Sequence, residues 1–277
     1  MNNQTFQTEV AQGKRFEFGT NWQQFLSTID DDRIAQAERS LINYLGIDNL
    51  AGKTFLDIGC GSGLFSLAAM RLRAKQVHSF DFDPRSVACG LELKRRYFPN
   101  TSHWVLETGS ALDTTYLEKL GQWDIVYSWG VLHHTGDMWI ALGNVLPLVK
   151  EGGTLFISIY NDQGGASQRW HMVKAAYNKQ LLAKWLIVSI FVPFFIARGA
   201  LADLLRGKNP IRRYRGYRKN RGMSITHDWF DWLGGYPFEV AKPEQVFDFC
   251  HSRGFTLERL KTCGGGLGCN EYVFSKP

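Results

Sequence analysis

A chain of 277 residues, 44% hydrophobic and 21% charged, can bury a substantial core, which excludes a disordered or linker-like polypeptide. Five cysteines without regular pairing exclude a disulfide-stapled scaffold and fit a reducing compartment. A net charge of +6 is only a mild bias toward anionic partners, and Met1-Asn2-Asn3-Gln4-Thr5 lacks the basic-then-apolar shape of a signal peptide, so the expected location is cytoplasmic.

Residues 1–20 are polar, with Phe16 and Phe18 as isolated apolar points. Asn21 is placed to cap a short helix carrying Trp22, Phe25 and Leu26. Asp30 or Asp31 is placed to cap a second, with Ile34, Ala37, Leu41, Ile42 and Leu45 at helical spacing. The expected unit over 1–50 is a set of helices covering a site or a sheet.

Phe55 to Ile58 is an apolar run short enough for a buried strand. It breaks at Gly59, Gly61 and Gly63 and resumes as a helix with Leu64, Leu67 and Ala68 on one face. A strand, a glycine turn and a helix N-terminus make a cradle for a polar ligand at the carboxyl edge of a parallel sheet. The spacing departs from a dinucleotide fingerprint, because Leu64 stands where that pattern needs its last glycine. Asp57, inside the strand end, suits a ligand with a cationic amino group better than a pyrophosphate. The run Leu-Asp-Ile-Gly-Cys-Gly-Ser-Gly resembles the first motif of class I S-adenosylmethionine-dependent methyltransferases.

Gln76 to Asp81 reads as the second strand, and Asp83-Pro84 as the cap and first position of the next helix. Asp81 is about 20 residues past the glycines and placed to accept both ribose hydroxyls of an adenosine. Trp104-Val105-Leu106 is a short third strand, followed by Gly109-Ser110-Ala111. The methyltransferases usually read Gly-Asp-Ala there; Ser110 replaces the acid, which leaves the adenine contact to a serine or to the backbone of Ala111. The resemblance implies S-adenosylmethionine as cofactor, held by Asp57, Gly59, Cys60, Gly61, Gly63, Asp81, Phe82, Ser110, Ala111 and Trp129.

Trp123 to Ser128 is the fourth strand, and Val131-Leu132-His133-His134 follows it. That segment resembles the small-molecule methyltransferases of ubiquinone and menaquinone biosynthesis. Histidine titrates near neutrality, so either His134 or His133 is placed to take a proton from a hydroxyl, with His134 preferred; alternatively one of the pair only braces the strand. Met138 to Leu148 carries a helical pattern. Lys150-Glu151-Gly152-Gly153 is expected to turn the chain into the fifth strand, Thr154 to Tyr160. Tyr160 and Asn161, at its end, are candidates for binding substrate.

Residues 163–239 exceed the minimal fold and read as an insertion. Leu181 to Ala197 holds one charge and one proline, and is shorter than the roughly 20 residues that cross a bilayer. Arg206 to Arg221 follows, with Arg212, Arg213, Arg215, Arg218, Lys219, Tyr214 and Tyr217. An apolar helix before an aromatic-spiced basic run suits a membrane surface. A lid, a homodimer contact and an RNA-binding stretch are the alternatives, RNA ranking behind the membrane. His227 and Asp228 stand at the head of an aromatic run suited to a pocket wall. Pro243 opens a helix, Phe255–Thr262 and Asn270–Phe274 are the last strands, and a glycine-rich loop joins them. Cys263, Cys269 and His251 match no usual zinc spacing, and no metal is expected.

The resemblance covers roughly 40–162 and 240–277. It implies an α/β, doubly wound, seven-stranded and mostly parallel sheet with an antiparallel last hairpin, a cofactor-binding core over 51–162 and 240–277, and a helical insertion before the sixth strand. It implies O-methylation of a small, lipid-linked or sugar-containing acceptor. A methyltransferase of RNA and a membrane-peripheral cofactor-binding protein without turnover are the other readings, the peripheral location being the inner face of the membrane.

Overall fold

The computed structural model describes residues 3–210 and 225–277; the basic residues from Arg212 to Arg221 lie outside them. Seven strands form one sheet in the order β3-β2-β1-β4-β5-β7-β6. They are β1 (Thr54–Ile58), β2 (Gln76–Asp81), β3 (Trp104–Thr108), β4 (Trp123–Trp129), β5 (Val149–Tyr160), β6 (Thr256–Lys261) and β7 (Cys269–Ser275). β7 runs antiparallel to β5 and β6, and the other pairings are parallel. This is the expected architecture.

β1 and β4 are apolar without alternation because both faces of the central sheet are covered. Leu56, Val126 and Leu155 pack on one face with α7 (Met138–Val145) and α11 (Pro243–His251). Phe55, Tyr127 and Phe156 pack on the other with α3 (Asp31–Leu45) and α4 (Leu64–Arg71). Tyr127 is sandwiched there between Phe55 and Phe65, with ring centroids 5.7 and 5.1 Å away.

The remaining helices are α1 (Asn3–Ala11), α2 (Phe18–Leu26), α5 (Pro84–Tyr97), α6 (Thr114–Leu120), α8 (Gly165–Lys179), α9 (Leu181–Leu205) and α10 (Ile225–Gly234). α1, α2, α8 and α10 interlock over the carboxyl end of the sheet. Phe16 N–H donates to Tyr236 O at 2.8 Å, and Asn178 Nδ2 donates to Gly234 O at 2.7 Å.

Three expectations are corrected. α2 begins at Phe18, before Asn21, because its cap comes from elsewhere in the fold: Gly19 N–H donates to Asp83 Oδ2 at 2.7 Å. Gly152-Gly153 is an irregularity inside a longer β5 and not a turn before it, because Gly152 N–H and Gly153 O both pair with Lys276. The apolar run of the insertion continues through Pro193 to Leu205 as one helix.

Asp83 is 3% exposed and caps two helices at once. Oδ1 accepts from Arg85 N–H at 2.9 Å to start α5, while Oδ2 serves Gly19 in α2. A single cap contributes about 0.5–2 kcal/mol, so Asp83→Ala, which removes two, should lose roughly 1–4 kcal/mol of unfolding free energy in denaturant titration. Asp83→Asn keeps one acceptor and should lose about half as much; equal losses in both variants would mean that only one of the two caps matters.

Candidate functional site

The carboxyl edge is built by the glycine corner after β1. Gly59, Gly61 and Gly63 have φ of +73°, +53° and +79°, a region that side chains avoid. A Cβ on Gly59 would lie 2.3 Å from the Val131 side chain, and one on Gly63 would lie 2.7 Å from Gly90 Cα. Trp22 covers the middle glycine, 3.0 Å from where a Cβ of Gly61 would stand. The corner is stitched to β2 by Gly59 and Cys60, whose N–H groups donate to Phe80 O at 2.8 and 3.0 Å.

Asp81 completes the stitch. Its Oδ2 accepts from Gly61 N–H and its Oδ1 from Asp83 N–H, both at 2.9 Å. Burial pushes its carboxyl up to about 6, against the pull of those two donors. A carboxylate offers about four lone-pair sites, so two remain for a ligand's hydroxyls.

Asp57 is 2% exposed and hydrogen-bonded by Ser66 Oγ. Ser79 Oγ donates to Ser66 Oγ at 2.7 Å, and Trp104 Nε1 donates to Ser79 Oγ at 3.0 Å. This chain of donors crosses β1, α4, β2 and β3 and fixes the carboxyl. Burial pushes Asp57 up to about 7; the Ser66 bond opposes that, and the charge of Asp81 adds to it.

At the end of β4 the chain passes Gly130, φ +77°, into a tight turn over Leu132–His134. His134 Nδ1 lies 2.5 Å from Pro237 O, which requires a proton on Nδ1 and leaves the lone pair on Nε2. Burial pushes this imidazole down to about 3, and Lys174 and Arg15 add to the shift. His133 is wholly buried and is held well below the ordinary range by burial, then by His134 and Lys174. Its Nδ1 accepts from Tyr160 N–H at 3.3 Å, and its Nε2 has no partner among the described residues. Both rings are therefore neutral at neutral pH.

Aromatic rings wall this pair. Tyr160 lies 4.1 Å from His133, and Trp232 and Phe238 lie 5.7 and 5.1 Å from Tyr160. Lys174 is buried against them, its ammonium donating to Trp232 O and standing 4.4 and 4.9 Å from the Trp232 and Phe238 ring centroids. Arg15 closes the other side. It donates to His134 O at 2.8 Å and Thr135 O at 3.2 Å, and lies 4.7 Å over the Phe82 ring.

The corner thus brings together Asp57, Gly59, Cys60, Gly61, Gly63, Asp81 and Phe82, which the sequence names as candidates for holding the cofactor. Ser110 is 8% exposed and its Oγ accepts from Leu112 N–H at 3.2 Å, which uses it to shape the turn beside Ala111. Trp129 ends β4 and is 43% exposed, with Nε1 3.3 Å from Glu271 Oε1, so its indole is directed toward β7. Asn161, expected to bind substrate, is corrected. Its Nδ2 donates to Gly266 O and its Oδ1 accepts from Asn270 Nδ2, each at 3.0 Å, and the whole amide braces the glycine-rich loop. His227 and Asp228 lie on α10, and their side chains fall outside what is described. Trp232 belongs to the aromatic run expected to wall a pocket, whereas Arg15 and Lys174 carry no local sequence signal and become visible only through tertiary contact.

A family model described as methyltransferase domain matches residues 30–209. A ubiquinone biosynthesis O-methyltransferase of Xanthomonas campestris pv. campestris is 33% identical over 135 residues, 49% of this chain and 54% of the relative. A ribosomal protein L11 methyltransferase of Alteromonas mediterranea is 49% identical over 51 residues, 18% of this chain and 17% of the relative. The chain therefore spans about half the length, or less, of these curated relatives. Among solved structures, a magnesium protoporphyrin IX methyltransferase of Synechocystis with bound S-adenosylhomocysteine superposes with a TM-score of 0.52 at 14% identity. That match covers 87% of this chain and 83% of the other, and speaks for the fold alone.

The buried acid of β1 has a signed pH signature. An unfolded aspartate titrates near 3.9, and Asp57 in the fold near 7, so its contribution to stability is full below about pH 4 and is lost as pH rises through 7. Asp57→Asn removes that loss. Its melting temperature relative to wild type should therefore climb between pH 5 and pH 8, on the order of 5 °C. An offset that is the same at both pH values would mean that Asp57 is ionised in the fold throughout.

Proposed function

The chain belongs to the methyltransferase-domain family, and on that footing we propose that it O-methylates a small acceptor, lipid-linked or sugar-containing, whose hydroxyl reaches the His133–His134 pair. The enzyme class is an S-adenosylmethionine-dependent methyltransferase. S-adenosylmethionine supplies a sulfonium-bound methyl group for in-line displacement.

The residues of the corner fit that cofactor. Asp81 has lone pairs left for a ribose diol, and Gly59, Gly61 and Gly63 keep Cβ atoms out of the approach to the backbone. Asp57 offers a buried carboxyl toward a methionine amino group, and Ser110 with Ala111 borders the adenine side. Positioning carries much of such a displacement.

The observation that carries the acceptor chemistry is the neutral, buried histidine pair at the end of β4. Pro237 O holds His134 with Nε2 as the acceptor of a hydroxyl proton, and the wholly buried His133 ring packs behind it, 4.5 Å between centroids. The flat walls of Tyr160, Trp232 and Phe238 suit a ring or sugar face. Similarity to the ubiquinone biosynthesis O-methyltransferases supports a small acceptor over half the chain.

Asp81→Ala should weaken cofactor binding by about 1.5–3 kcal/mol in calorimetry, because two hydroxyls lose a charged acceptor. Ribose hydroxyls favour the ionised carboxylate, so wild-type affinity should fall as pH drops below about 6, and Asp81→Asn should flatten that slope. Unchanged affinity in the alanine variant would place the ribose elsewhere.

His134→Ala should lower turnover by ~10²–10⁴-fold with cofactor affinity retained. Full activity in both single histidine variants would remove the base. Incubation with methyl-labelled S-adenosylmethionine and fractionated extract tests the acceptor class. Label is expected among lipids or small molecules. Label in RNA would replace this reading with one that works through the basic run, and cofactor binding without label in any fraction would argue against turnover.

A further inference from the structure

Among the described residues, nothing of the site uses the outer surface of α9. Over its most apolar window its mean hydropathy is 2.0, and only 6% of that window is buried. Leu182, Trp185, Leu186, Ile190 and Phe194 are between 52% and 86% exposed, a surface larger than soluble monomers leave in water. Its inner surface is different. Phe191 and Phe195 pack on Trp170 of α8, with centroids 5.0 and 6.5 Å away. Trp170 meets Trp232 at 5.3 Å, Trp232 meets Tyr160 at 5.7 Å, and Tyr160 meets His133 at 4.1 Å. A continuous seam of rings thus runs from α9 to the histidine pair.

We propose that α9 lies half-immersed in one leaflet of an anionic lipid bilayer, placing the outer end of this aromatic seam at the level of the acyl chains. Charge selects this occupant. Lys179 and Lys184 are exposed near the start of α9, and Arg206 and Lys208 are exposed beyond its end. The acid of α9, Asp203, is buried, and the sequence continues into the arginines up to Arg221. Each such cation gains about 1 kcal/mol near an anionic surface. A two-fold dimer through the same face would instead bring these like-charged flanks together.

One residue, Gln180, joins α8 to α9, and Asp203 near the far end of α9 is buried, so the proposed pose keeps the inner flank on protein and turns only the outer flank to lipid, short of a full crossing. Trp185, 66% exposed beside Lys184, is a residue type that favours a membrane interface. The inner end of the seam as an acceptor position rests on the function proposed above. Vesicle binding is read without turnover, so the two can fail separately.

The test is flotation of the whole protein with vesicles of phosphatidylcholine alone or of phosphatidylcholine and phosphatidylglycerol in equal parts. Wild type should float with the anionic vesicles and be partly released as salt rises, because screening removes the charge contribution and not the apolar one. Leu186→Glu with Ile190→Glu should weaken vesicle binding on the order of a hundredfold, with cofactor affinity unchanged. Trp185→Phe preserves packing, so it keeps the test decisive if the double variant misfolds. Lipids brominated in the acyl chain should quench wild-type tryptophan fluorescence, and most of that quenching should vanish in Trp185→Phe. The proposal is overturned by wild type that ignores both vesicle types, by quenching that Trp185→Phe leaves intact, or by vesicle binding that the double variant retains. A dimer that the double variant splits, with no vesicle binding, would overturn it in favour of a second copy of the chain.

Discussion

One carboxylate holds the carboxyl edge together. Asp81 accepts from Gly61 N–H across the gap between β1 and β2, and from Asp83 N–H two residues along its own chain. The first bond needs the glycine corner to bend back toward β2, and the bend needs φ of +53° at Gly61. The cost is a buried charge, visible as a carboxyl pushed up to about 6. The return is a loop whose backbone N–H groups already point at a fixed anion, so little reorganises when a ligand with paired hydroxyls arrives. Asp57, on the neighbouring strand, is buried in the same way and held by a serine–serine–tryptophan relay. The charge of Asp81 raises the titration of Asp57 only as a secondary effect, burial being the larger one, and for Asp81 itself burial is again the largest cause, with the charge of Asp83 adding to it.

The roof follows from this frame. Asp83, directed by its place after Asp81, caps α5 and α2 together, and so fixes α2 over the corner with Trp22 against Gly61. Arg15, just before α2, reaches the carbonyls of His134 and Thr135, about 120 residues along the chain. Phe16 occupies the space beside Gly234 that a larger residue would fill. The N-terminal helices and the insertion therefore close the site as one layer, although neither belongs to the sheet.

Physical causes separate what could be read from the sequence from what could not. β1, β2, the cap at Asp83 and a cap at Asp30 or Asp31 were legible because buried strands, glycine corners and capping acids are local signals; the structure assigns the latter to Asp30. The start of α2 was not, because its cap comes from Asp83 rather than from its own N-terminal residues. α8 has a polar composition and buries Ser167, Lys174 and Tyr177, so its periodicity is hidden by polar residues that serve the site. Asn161 was misread because an asparagine at a strand end looks the same whether it faces a ligand or braces a loop; only Gly266 and Asn270 decide that. Arg15 and Lys174 sit in segments with no motif, and their roles exist only in three dimensions.

Their placement bears on how a histidine pushed down to about 3 serves as a proton acceptor. Burial alone disfavours the imidazolium, and the Lys174 and Arg15 cations disfavour it further. The same positive field has the opposite effect on an oxygen that gains negative charge. On the proposed reading, an acceptor hydroxyl beside His134 would thus be easier to ionise for the reason that the imidazole is harder to protonate. The proton need not rest stably on His134; Nε2 has only to lower the barrier while the field favours the oxyanion. Two acids under the cofactor corner and Lys174 beside the histidines, with Arg15 shared between His134 O and the Glu9 carboxylate, would on this reading give the site a direction, negative where a ribose and an amino group would bind and positive where an oxygen would attack. That polarity, more than the strength of any single base, is what this arrangement of buried charge supplies.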